Sequence, residues 1–85
     1  MKIQVYGKGC PKCNRLAANV EQALEQLGRD DIEVEHVTDL DEIARMGPII
    51  TPALVVDGKV ITQGMAYSPR KLIEILRPLL EAQAG

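Results

Sequence analysis

A chain of 85 residues with 46% hydrophobic and 26% charged residues is predicted to be one small soluble domain, residues 1–85. A net charge of −2, with lysines and arginines scattered along the chain, argues against nucleic acid as a partner. No apolar run nears the roughly 20 residues of a membrane span, and MKIQVYG lacks the apolar stretch of a secretory signal, so the expected location is the cytoplasm.

Aromatic residues are limited to two tyrosines, so the core must be built from Val, Ile, Leu and Ala. Lys2 to Tyr6 (KIQVY) alternates polar and apolar residues and predicts a first strand. Gly7 and Gly9 break it, and Pro11 suits the first position of a helix. Leu16, Val20, Leu24 and Leu27 recur on one helical face, flanked by Ala17 and Ala23. The predicted helix runs from Pro11 to Leu27, with Gly28 as its C-terminal cap.

Asp30-Asp31 reads as a solvated turn, and Ile32 to Val37 as a second strand, reached by a right-handed crossover and so parallel to the first. Asp39 with Glu42 three residues later resembles a capping box, and Gly47-Pro48 ends that helix after about two turns. Ala53 to Val56 is apolar enough for a buried strand. Asp57-Gly58 predicts a tight hairpin returning through Lys59 to Gln63. Ser68-Pro69 opens a last helix with Leu72, Leu76, Leu79 and Leu80 buried. Pro78 predicts a kink or an end near Arg77, with residues 81–85 frayed. The element order is β-α-β-α-β-β-α.

Both cysteines, Cys10 and Cys13, fall in GKGCPKCN. Three chemistries use that spacing. A structural zinc site wants four ligands, and only His36 remains in the chain as a further Cys or His. The alternative is a metal-binding module, a chaperone or sensor that uses the Cys10–Cys13 pair alone or shares its site across a dimer. A structural disulfide closing four residues removes little unfolded-state entropy and does not persist in a reducing cytosol.

A reversible dithiol uses the neighbours best. Cys10 falls at the predicted helix N-cap, where unpaired N–H groups and the helix dipole stabilise an anion. Lys8 and Lys12 add positive charge. All three lower the Cys10 pKa from the free value of about 8.5 and raise the thiolate fraction. Cys13, one turn later and more buried, can resolve a mixed disulfide, and Pro11 fixes the geometry of both sulfurs. Far along the chain, Thr51-Pro52 precedes the third strand. It reads either as an ordinary strand-start proline or as a cis bond facing the cysteines, whose preceding backbone pairs with an extended substrate.

With VYGKGCPKC followed by TPALVVDG and a closing hairpin and helix, nearly the whole chain resembles the thioredoxin fold. It is similar in particular to the small thioredoxin/glutaredoxin-like proteins of archaea and bacteria. The resemblance implies an α/β fold with a four-stranded mixed sheet flanked by helices, the first strand lying between the second and third. It implies Cys10 as attacking thiol, Cys13 as resolving thiol, a Cys10–Cys13 redox disulfide, and Thr51-Pro52 as the cis-proline pair. Gly64 is expected with Thr51 and Pro52 at the substrate.

Three positions depart from the family pattern. Gly9 replaces the usual Trp. Gln4 stands where many members bury an acid, and an amide cannot take a proton. Gln63-Gly64-Met65 lacks the acid with which glutaredoxins hold glutathione, although Lys8 matches a glutathione-contacting lysine. The reading is therefore a monomeric thiol-disulfide oxidoreductase acting on protein disulfides, with no bound cofactor and a separate reductase as electron donor. Tyr6 is read as packing and His36 as a surface residue. For Met65, Tyr67, Ile49 and Ile50, partner contact and core cover are equally open.

Overall fold

The computed structural model describes residues 2–8, 11–29 and 31–84. Expectations that fall on Gly9, Cys10, Asp30 and Gly85 lie outside the described residues. Seven elements follow in the predicted order: β1 (Ile3–Tyr6), α1 (Pro11–Gln26), β2 (Val34–Val37), α2 (Leu40–Arg45), β3 (Ala53–Val56), β4 (Lys59–Gln63) and α3 (Pro69–Ala84).

The sheet order is β2-β1-β3-β4, with β1 parallel to β2 and antiparallel to β3, and β4 antiparallel to β3. This is the four-stranded mixed sheet of the thioredoxin-like fold. Its two faces divide the apolar residues by strand alternation. Ile3, Val5, Leu54 and Val56 point to the face covered by α1 and α3, where they meet Leu16, Val20, Leu24, Leu72, Leu76 and Leu80. Tyr6, Ala53 and Val55 point to the other face, against Ile43 and Met46 of the α2 region. Covered on both sides, β3 is buried at every position, which is why ALVV reads as an unbroken apolar run. Burying a side chain such as Leu54 contributes about 1.5–3 kcal/mol before cavity effects.

Helix α1 buries Cys13, Leu16, Ala17, Val20, Ala23 and Leu24, so the second cysteine is the first member of the apolar stripe. The helix closes with Gly28 N–H donating to the Glu25 carbonyl and Arg29 N–H to the Leu24 carbonyl, a Schellman pair. In α2, the Asp39 carboxylate accepts from the Asp41 N–H at 2.9 Å, capping the helix start. The hairpin turns through Asp57 and Gly58 with φ of 50° and 84°. Positive φ at both central residues is what a type I′ turn demands, and Asp-Gly supplies it.

Strand boundaries are shorter than predicted: β1 omits Lys2, and β2 begins at Val34 rather than Ile32. One expectation is corrected more substantially. Helix α3 passes through Pro78 and runs to Ala84, so of the kink or end expected near Arg77 the end is ruled out, and residues 81–84 stay helical rather than frayed. Pro78 is exposed, so water can reach the carbonyl that its missing N–H leaves unbonded, while Leu80 beyond it stays only 7% exposed. The apolar stripe carries the helix past the proline.

Candidate functional site

One row of backbone positions organises the end of the sheet. Tyr6 is in register with Val37 on one side and Ala53 on the other, and Ala53 with Gln63. The residues just beyond that row are Gly7, Pro52 and Gly64, and helix α1 starts from the same end. Gly7 N–H donates to the Val37 carbonyl at 3.0 Å, and Gly64 N–H to the Pro52 carbonyl at 2.9 Å. The Thr51–Pro52 bond is cis. Pro52 is fully buried while Thr51 is exposed.

Cys13 reaches this row from α1. It is 4% exposed and disulfide-bonded. Its side chain fills the space a side chain on Gly7 would take. A methyl placed there would run into Cys13 Sγ and stand 2.9 Å from Cys13 Cβ and 3.9 Å from Pro52 Cα. Cys13, Gly7 and Pro52 are thus packed together, although Pro52 is far from the other two in sequence.

The loop before Pro52 is tied to β4. Ile50 N–H donates to Gln63 Oε1 at 2.9 Å, and the Cα of Gly64 lies under the Ile50 side chain. Ile49 turns inward onto the core, whereas Ile50 is 67% exposed. Met65, which follows Gly64 in the chain, is 57% exposed. Ile50 and Met65 thus leave two apolar side chains uncovered on the segments that flank the Gly64–Pro52 hydrogen bond. Tyr67 packs on the main core, and its carbonyl accepts from Asn19 Nδ2 at 2.9 Å.

A profile of the thioredoxin domain family matches residues 1–77. The chain belongs to the thioredoxin domain family. It is 38% identical over 81 residues to the thioredoxin of Methanocaldococcus jannaschii, covering 95% of this chain and 92% of that protein. It is also 38% identical over 76 residues to the thioredoxin of Methanothermobacter thermautotrophicus, covering 89% of this chain and 97% of that one. Membership makes this thioredoxin-family chain a thiol-disulfide oxidoreductase.

Of the residues the sequence singled out in this thioredoxin-family chain, Cys13, Pro52 and Gly64 come together at one end of the sheet. Pro11, Lys12 and Lys8 are exposed. Gln4 lies across the register from Glu35 and lines a cleft of about 270 Å³ with Tyr6, Glu42 and Arg45 on the α2 side. Tyr6 is 7% exposed and belongs to the second core cluster; His36 is exposed on β2. Among the described residues, no three His, Cys, Asp or Glu side chains gather as metal ligands would. Nor, among the same residues, is any helix long and apolar enough to cross a membrane.

Two residues at the site carry no sequence signal. Gly7 reads only as a strand breaker, and its contact with Cys13 depends on how α1 docks. Gln63 reads as a strand end, and nothing local says that its amide reaches back to Ile50.

Proposed function

We propose that this chain, as one thioredoxin-like domain over residues 1–85, reduces protein disulfides in the cytosol through its CPKC motif and acts as a monomer. Cys10, as thiolate, attacks one sulfur of a substrate disulfide. A Cys10–substrate bond forms, and the other substrate sulfur leaves as a thiolate and takes up a proton. Cys13, deprotonated in turn, attacks the Cys10 sulfur. The mixed disulfide breaks, the substrate leaves as a dithiol, and the chain is left holding a Cys10–Cys13 disulfide. Two electrons have passed to the substrate, and a separate reductase returns them.

Pro11 sets the helix start, and Lys12 adds positive charge beside the thiols. The exposed backbone at Thr51, next to Pro52 and Gly64, receives an extended stretch of substrate. The exposed apolar side chains of Ile50 and Met65 suit a polypeptide better than a small hydrophilic thiol. The observation that carries the reading is the placement of Cys13. It is disulfide-bonded, nearly covered, and packed against Gly7 at the end of β1, where Pro52 also approaches. A covered sulfur suits the second step, where the target is already bound, better than the first.

The test is a trapping experiment. Cys13→Ser should accumulate mixed disulfides with protein substrates, and the unaltered chain should reduce insulin disulfides with dithiothreitol as electron source. Equal trapping by Cys10→Ser would reverse the assigned roles. A chain that neither traps nor reduces would defeat the reading.

A further inference from the structure

Gly7 has no conformational reason to be glycine. The described glycines with positive φ are Gly28, Gly47, Gly58 and Gly64, and Gly7 is not among them. What the position requires is the absence of a side chain. An ideal Cβ built on Gly7 overlaps Cys13 Sγ and lies 2.9 Å from Cys13 Cβ. Turning the Cys13 side chain to another rotamer would clear the first contact but not the second, since Cβ does not move with χ1. The first turn of α1 would have to shift.

The Gly7 backbone cannot easily yield instead. Its N–H is bonded to the Val37 carbonyl at 3.0 Å, and Val37 is 2% exposed. On another side stands Pro52 Cα, 3.9 Å from the same point, with its own carbonyl held by the Gly64 N–H. The space above the Gly7 Cα is thus bounded by the sheet, by Pro52 and by the Cys13 side chain that fills it.

We propose that Gly7 is a positioning residue for thiol-disulfide exchange: its bare Cα forms the slot that fixes where the Cys13 sulfur stands when it resolves the mixed disulfide. This rests on the CPKC reading above. Displacing one reacting atom by about 1 Å can cost about 100-fold in rate. Gly7→Ala moves the resolving sulfur by a comparable step and so slows the second half of the exchange.

The reduced chain with 5,5′-dithiobis(2-nitrobenzoate) separates the two halves. Attack by Cys10 releases one equivalent of thionitrobenzoate and leaves the other on Cys10. Attack by Cys13 on the Cys10 sulfur then releases the second, and the chain disulfide forms. In Gly7→Ala the first release should stay within ~3-fold of the unaltered chain, while the second should slow by ~10- to 100-fold. A second release within ~3-fold of normal, or equal slowing of both, would overturn the inference. If instead the unaltered chain released only one equivalent, the dithiol reading itself would fail.

Should Gly7→Ala fold poorly, the same slot is tested by stability. Cys13→Gly removes both Sγ and Cβ, so adding Gly7→Ala to it should leave Tm within ~4 °C of Cys13→Gly alone, the shift of about 1 kcal/mol in a domain this size. In the Cys13 background the fall should be larger. An equal fall in both backgrounds would show that Gly7 answers to something other than the Cys13 side chain.

Discussion

Replacing Gly64 by alanine tests how firmly the end of β4 holds the Pro52 loop. Gly64 has φ 83°, a left-handed conformation that costs an L-residue about 1–2 kcal/mol. Alanine's stiffer unfolded chain returns ~0.4–1 kcal/mol of that. The new Cβ would also stand 3.2 Å from Ile50 Cγ2, closer than ordinary contact. Ile50 is 67% exposed and can swing aside, so the contact adds about 0.5 kcal/mol, the lower end for an off-rotamer side chain. The sum is a loss of about 0.5–2 kcal/mol, read by urea titration, and a Tm lower by ~2–16 °C. Gly58→Ala is the control. Its φ is 84° and its Cβ would meet nothing within 4 Å, at the far end of β3 from Pro52. Both variants should lose comparable backbone energy, but only Gly64→Ala should slow insulin reduction, because only it pushes on the loop that carries Thr51 and Pro52. Ile50→Ala placed on Gly64→Ala should recover the contact part of the stability loss. Equal insulin reduction by the Gly58 and Gly64 variants would refute the coupling of β4 to the loop.

Pro78→Ala should stabilise the chain by about 2 kcal/mol in a thermal melt. A helix-interior proline costs about 3 kcal/mol against alanine, and the freer unfolded chain gives back roughly 1 kcal/mol. A loss of stability would mean that Pro78 itself is needed to seat Leu80. Leu54→Ala, at a position of β3 with no exposure beneath the α1–α3 layer, should cost about 2–5 kcal/mol in urea. A loss below ~1 kcal/mol would contradict its place in the core.

Much of the fold is legible because its signals are local. The Leu16–Val20–Leu24 stripe, the Asp57-Gly58 turn, the Asp39 and Ser68 caps and the ALVV run each state their structure within a few residues. Where the sequence misleads, a distant contact outweighs a local rule. Pro78 signals a kink or an end in α3, but Leu80 is buried against other elements and keeps the helix going. The adjacent Ile49 and Ile50 look alike in sequence; one is turned into the second core cluster and the other outward beneath no cover, which only the loop path from α2 to Pro52 decides. At the site, CPKC and Thr51-Pro52 are visible as motifs, whereas Gly7 and Gln63 matter through contacts with residues 6 and 13 positions away. Such contacts leave no pattern in a single chain.

The site owes its precision to the sheet more than to its loops. Because β3 runs antiparallel to β1, and β4 to β3, the C-terminal ends of β1 and β4 and the N-terminal end of β3 lie along one edge. The row Val37–Tyr6–Ala53–Gln63 is locked by strand pairing, and one further step along each strand reaches Gly7, Pro52 and Gly64. Two of these continue the locking with their own hydrogen bonds, from Gly7 to Val37 and from Gly64 to Pro52. A slip of one residue in β3 would turn Leu54 out of the main core and carry Pro52 away from Cys13 at the same time. The burial that favours the correct register is therefore the same burial that sets the proline beside Gly7, where the sulfur packs. Loop sequence can vary around the motif without loosening this contact, so long as the residue beyond Tyr6 leaves room for the cysteine.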